Sequence, residues 1–136
     1  MTEERKQLLH PTPRLLAGVY NNLIKRNEVF FAVNDEQLNN LDTIVKNVKS
    51  SYFGFVRYPS REDQISAYFC YIIKNHPMTD GNKRLAVLWV EILCAAYDIK
   101  VDLPATMPMD KLAVSVEQEK DMDFESLVNV VKMILF

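Results

Sequence analysis

Cysteine, glycine and one-sided charge are all in short supply. Of 136 residues only Cys70 and Cys94 are cysteines. Both fall inside apolar helical patterns, so they are expected as reduced core residues and a disulfide scaffold is excluded. The formal net charge is −2, and no basic stripe with interleaved aromatics runs along the chain, which leaves no field to gather nucleic acid. No apolar run is long enough to cross a bilayer, since the longest, Leu85 to Tyr97, is broken by Glu91. Glu3, Glu4, Arg5 and Lys6 precede only Leu8 and Leu9, so the apolar core of a signal peptide is missing. A cytoplasmic protein with neither membrane nor nucleic acid as partner is expected. No repeat, low-complexity tract or second domain is visible.

What is present is the balance of an ordinary globular domain, 49% hydrophobic and 25% charged, on a chain long enough for one core without staples. The chemistry is concentrated in His76-Pro77-Met78-Thr79-Asp80-Gly81-Asn82-Lys83-Arg84, a polar stretch between two apolar helical segments, Ile65 to Ile73 and Leu85 to Tyr97. Unpaired buried charge costs roughly several kcal/mol, so a ligand of opposite character would explain such a loop. Gly81, one of only three glycines, lets a ligand approach the main chain. The N–H groups opening the next helix make an anion site. Lys83 and Arg84 add positive charge, and Arg84 can grip phosphate oxygens with two parallel bonds. Asp80 is the hard oxygen ligand that Mg²⁺ takes together with substrate phosphates. His76 is the group suited to take a proton from an incoming hydroxyl. A plainer reading has Asp80 or Asn82 merely capping the second helix and His76 the first, but capping does not call for Lys83 and Arg84 at a helix start.

These residues resemble the active-site signature of the Fic/Doc family, His-x-Phe-x-Asp/Glu-Gly/Ala-Asn-Gly/Lys-Arg. His76, Asp80, Gly81, Asn82, Lys83 and Arg84 match it, and Lys83, where the main Fic branch has glycine, sets the chain nearer the Doc-like branch. Met78 replaces the phenylalanine, as an inward anchor that methionine can supply. Val87 stands where main-branch members carry a second phosphate-binding arginine. The resemblance covers about residues 13 to 134, with only the signature specific.

The resemblance implies an all-α fold, a single bundle of about six helices with a short extended or hairpin flap, and helical periodicity supports it independently. Residues 1–11 read as a charged arm ahead of a domain over 12–136, with His10 at the surface. Thr12-Pro13 reads as a cap and first turn, followed by a face of Leu15, Leu16, Val19, Tyr20, Leu23 and Ile24. A second helix is expected from Asn34 or Asp35 with the stripe Leu38, Leu41, Val45 and Val48. Ser51 to Pro59 suits a short hairpin, either the flap that the family uses to hold its target, at about 52–58, or an aromatic plug over the core. Ser60 to Asp63 opens the helix that ends at His76. The next, apolar nearly all round, is expected to be enclosed by the others. A short helix near Asp110 to Gln118 and a last one from about Asp123, with Leu127, Val130, Val131 and Ile134 inward, complete the chain; Glu117, Glu119, Lys120 and Asp121 read as a solvated turn.

The function implied is transfer of a phosphate-containing group from ATP or another nucleoside triphosphate to a protein hydroxyl. His76 would be the catalytic base, Asp80 the Mg²⁺ ligand, and Gly81, Asn82, Lys83 and Arg84 the phosphate cradle. If the α-phosphorus faces His76, AMP moves; if the γ-phosphorus does, phosphate moves, and Lys83 with Val87 leans towards the second. The alternative is a non-catalytic module that keeps the anion site for docking, against which an intact His76 and Asp80 argue. Fic proteins often carry an inhibitory helix marked Ser/Thr-x-x-x-Glu-Gly/Asn, and the nearest stretch here, Ser115 to Glu119, is followed by Lys120. The resemblance to toxin–antitoxin pairs therefore implies a separate small antitoxin-like protein over the groove near Arg84, with the charged first dozen residues as an alternative inhibitor in cis.

Overall fold

A computed structural model describes residues 10–26 and 33–136. Among them are α1 (Pro13–Lys25), α2 (Asp35–Lys49), the strands β1 (Ser51–Tyr52) and β2 (Phe55–Val56), α3 (Arg61–Asn75), α4 (Asn82–Ala96), α5 (Met109–Gln118) and α6 (Phe124–Leu135). This is the all-α bundle with a small hairpin. Most of the arm expected over 1–11, residues 1–9, lies outside the described residues.

Local chemistry sets the helix starts. Thr12 caps α1 by accepting the Leu15 N–H, with Pro13 in the first turn. Asn34 with Gln37 and Ser60 with Asp63 form reciprocal capping boxes for α2 and α3. Asp123 caps α6.

The enclosed helix is α3, not α4. Every residue from Gln64 to Ile73 in α3 is buried, whereas α4 buries one face and leaves Glu91, Ala95 and Ala96 exposed. Two of the enclosed polar side chains of α3 find partners, whereas the buried Ser66 hydroxyl has none among the described residues. Gln64 Nε2 donates to the Tyr58 carbonyl, and the Tyr68 hydroxyl meets His10 Nδ1 at 2.7 Å. His10 is accordingly half-buried on α3 and not at the surface.

Three inward stripes differ in detail from the sequence expectation. Leu15 is 55% exposed, while Ala17 turns inward beside Leu16, Val19, Tyr20 and Leu23. Ile44 joins Leu41, Val45 and Val48 in the core. In α6, Val130 is exposed and Val128 and Leu135 are buried.

The hairpin pairs Ser51 with Val56 and Tyr52 with Phe55 across a turn at Phe53 and Gly54, both with positive φ. Two successive left-handed residues match the strand twist of a tight hairpin. Phe53, Phe55 and Val56 are exposed, so these side chains do not form an aromatic plug; among the described side chains of the segment Tyr58 is the buried one. The hairpin's base is fastened to α6 through Glu125, which accepts from Arg57 Nε at 2.8 Å and from the Tyr58 hydroxyl at 3.1 Å.

Candidate active site

The signature loop joins the end of α3 to the start of α4. His76 terminates α3 in the left-handed conformation, φ 47° and ψ 59°, a backbone usually left to glycine or asparagine and costing about 1 kcal/mol or more elsewhere. It turns the chain sharply and leaves the imidazole exposed at the helix end. Gly81, at φ 75°, precedes α4, and no side chain caps that helix. Leu85 N–H is bonded back to Gly81 O at 2.9 Å, so the helix's hydrogen-bond ladder begins there and the N–H groups of its first turn lie ahead of it. Together with the helix dipole they favour an anion.

Side chains far off in sequence hold this loop. Buried Tyr20 of α1 donates its hydroxyl to the Asp80 carbonyl at 2.6 Å. Burial first, and the Asp80 charge second, push that phenol's pKa up, so it stays a donor. Gln37 of α2 donates from Nε2 to Thr79 Oγ1 at 2.9 Å while its Oε1 completes the capping box, and Asn40 donates to the Pro77 carbonyl at 3.1 Å. Inside the loop, Asn82 accepts from Met78 N–H and donates to Met78 O, each at 2.9 Å. Asn82 is therefore buried, with its carboxamide spent on the loop's shape, and what it turns toward a ligand is its backbone N–H. Met78 is 4% exposed, an anchor in the core.

Lys83 has a partner that the sequence did not reveal. Its ammonium lies 2.9 Å from Glu117 Oε2 in the last turn of α5. Hydrogen bonding to Lys83 holds the Glu117 carboxyl below its ordinary pKa, with charge from Lys83, His76 and Lys74 adding to it. Lys74, two residues before His76, also donates to the Glu117 and Glu119 carbonyls. Residues 117 to 121 are thus only partly a solvated turn, since Glu117 is helical and faces the signature. Glu119 instead accepts the N–H groups of Asp121 and Met122 at 2.9 and 3.1 Å.

A cleft of about 810 Å³ opens on Asp80, Gly81, Asn82, Lys83 and Arg84 and runs between α4 and α5, within the ~300–1,000 Å³ span of small-molecule sites. Asp80 is the carboxylate on its wall within the loop, and no group of three or more His, Cys, Asp or Glu residues gathers among the described residues. One carboxylate beside an anion site fits Mg²⁺ taken largely through phosphate oxygens and water.

A model of the Fic/DOC family matches residues 5–94, more than half of the chain, and the matched span contains the whole signature. The chain belongs to the Fic/DOC family. This is a family of protein-modifying transferases. No curated protein and no solved structure matches the chain. The Fic/DOC match ends inside α4, so α5, with Glu117 and one wall of the cleft, lies beyond it. Among the described residues no helix is long and apolar enough to cross a membrane.

Proposed function

We propose that this Fic/DOC protein transfers a phosphate-containing group from a nucleoside triphosphate to a hydroxyl of a target protein. The observation that carries the reading is the loop itself: an uncapped helix start and two cations on the wall of one cleft, with an exposed imidazole at the end of α3 on the same loop, outside the residues that line the cleft. The hydroxyl oxygen of the target attacks a phosphorus of the bound nucleotide. Its proton passes to His76, and the bond from that phosphorus to the departing phosphate oxygen breaks. Attack at the γ-phosphorus releases a nucleoside diphosphate and attack at the α-phosphorus releases pyrophosphate. The backbone N–H groups from Gly81 to Arg84, with the Lys83 and Arg84 side chains, stabilise the phosphate charge, and such positioning supplies most of the acceleration in phosphoryl transfer. Asp80 would hold Mg²⁺, which when bound neutralises further phosphate charge.

The target would pair along the hairpin. β1 and β2 form an isolated two-stranded sheet with exposed side chains at Phe53, Phe55 and Val56, and an open strand edge recruits an extended segment by main-chain pairing. A small antitoxin-like protein would restrain the enzyme. That reading is supported by the missing inhibitory motif and by Glu119, which is engaged with its own turn. Incubating the protein with cell lysate, Mg²⁺ and triphosphate labelled at either the α- or γ-phosphorus tests the function. Label on protein from one position, lost in His76→Ala, is expected. Label from neither would refute transfer.

A further inference from the structure

The hairpin turns Phe53, Phe55 and Val56 outward and is too short to hold its own direction. Two residue pairs join its strands, and a two-stranded ribbon of that size is marginal in water. Its direction is set at the base, where three donors converge on one oxygen of α6: Arg57 Nε at 2.8 Å, Arg57 Nη2 and the Tyr58 hydroxyl at 3.1 Å all meet Glu125 Oε1. The Arg57 guanidinium also lies over the Tyr58 ring, 5.6 Å from its centre, and the Tyr58 hydroxyl meets that of Tyr71 on α3 at 3.4 Å. Burial first, and the Tyr71 hydroxyl second, push the Tyr58 phenol's pKa up, so it stays a donor. Arg57 and Glu125 are partly exposed, and such a pair adds little to the stability of a fold; what this one fixes is direction. α6 in turn is laid on α3 at both ends. Phe124 packs on Tyr71 with ring centres 4.3 Å apart, and Lys132 pairs with Asp63 at 2.9 Å, so the two helices run antiparallel and Glu125 lies beside the end of α3. Tyr71 and His76 are five positions apart there, about 7 Å along the axis at 1.5 Å per residue. The clamp on the hairpin and the imidazole thus share one rigid helix.

We propose that Glu125 positions the acceptor: it holds the hairpin at a fixed offset from His76, so that an extended target segment paired along β1 or β2 presents its hydroxyl to the imidazole. The inference rests on the transferase reading and adds to it the group that aims the acceptor. Glu125 touches neither the donor's phosphates nor the reacting atoms and acts through Arg57 and Tyr58. It lies beyond the span matched to the family, so this chain sets its acceptor's approach with a residue of its last helix.

The test follows hairpin and transfer together in Glu125→Ala. Backbone hydrogen exchange over residues 51–56, read by mass spectrometry, should quicken tenfold or more while exchange in α3 is unchanged. Labelling of lysate proteins from triphosphate labelled at the α- or γ-phosphorus, with Mg²⁺, should fall at least tenfold in dilute lysate. That deficit should narrow as the lysate is concentrated, because a loose hairpin costs acceptor affinity, and nucleotide affinity by calorimetry should stay within twofold. Glu125→Gln keeps an oxygen for both donors and should recover part of the loss; Arg57→Ala releases the clamp from the hairpin side if the α6 variant fails to fold. Unchanged exchange in the hairpin, or a deficit that is absent or equal at every lysate concentration, would overturn the positioning role and leave His76 and the phosphate loop standing. A wild type that labels nothing would overturn the transferase reading, and the acceptor role along with it.

Discussion

Lys83 is the residue whose state changes most between the ligand-free protein and the proposed complex. With its ammonium on Glu117, it must leave or share that carboxylate to meet phosphate. The pair is partly exposed, and such pairs contribute little once solvent screens them. Glu117→Gln keeps the side chain's size and removes its charge, so nucleotide binding should tighten modestly, read by calorimetry. Weaker binding would mean that Glu117 aims Lys83 at the phosphate instead of competing for it. His10 supplies a pH test of the fold. Burial first, and the Lys49 charge second, lower its pKa from 6.5 to about 4, and the neutral ring is hydrogen-bonded through Nδ1 to the Tyr68 hydroxyl. The unfolded chain binds the proton more readily than the folded one. Stability is therefore full above about 6.5 and falls as pH drops towards 4. Denaturant unfolding across that range should show the fall, and His10→Gln should flatten it; an equal slope in the variant would assign the effect to other groups.

Helix ends and the loop show what was legible from the sequence. Thr12-Pro13, Asn34-Asp35 and Ser60 to Asp63 are signals of two to four residues, and a helix starts at each of them. The signature's separation between two helices was equally plain. What was not legible joins residues remote in sequence: Tyr20 to Asp80, Gln37 to Thr79 and Lys83 to Glu117 are 60, 42 and 34 positions apart. Gln37 offered the one available hint, a polar residue in the first turn that the structure buries on the core side. The centrality of α3 was hidden because Gln64, Ser66, Tyr68 and Tyr71 make it read as less apolar than α4, although it is more deeply buried. At this scale Asn82→Ala is the informative change. It strips the partners from the N–H and carbonyl of buried Met78 and should destabilise the protein by roughly 2–4 kcal/mol. Transfer should fall with it, because His76 and the start of α4 lose their fixed separation. Urea unfolding and the transfer rate check both halves, and a variant of unchanged stability would contradict the loop's proposed support.

The whole molecule is a helical frame that clamps one short loop from behind, with α1 and α2 as the clamp and α5 closing one side of the cleft in front. Such a frame leaves the loop rigid without disulfides, as both cysteines are buried and free, and a rigid constellation is what transfer chemistry requires. If the protein is held in check by a separate partner, expressing it alone in a bacterial host should arrest growth, and the His76→Ala protein should not. Harmless expression of a folded, active wild type would remove the need for such a partner.

The central claim is that His76 performs the chemistry while other groups hold the nucleotide. The most direct measurement sets transfer against binding in His76→Ala: intact-mass spectrometry of target proteins after incubation with triphosphate and Mg²⁺, alongside nucleotide affinity by calorimetry. The account predicts that the mass of a phosphate or AMP added by the wild type is absent with the variant, while affinity stays within about twofold because the cradle lies on the loop and α4. A variant that transfers at near the wild-type rate, or one that loses transfer only because it no longer binds nucleotide, would contradict it.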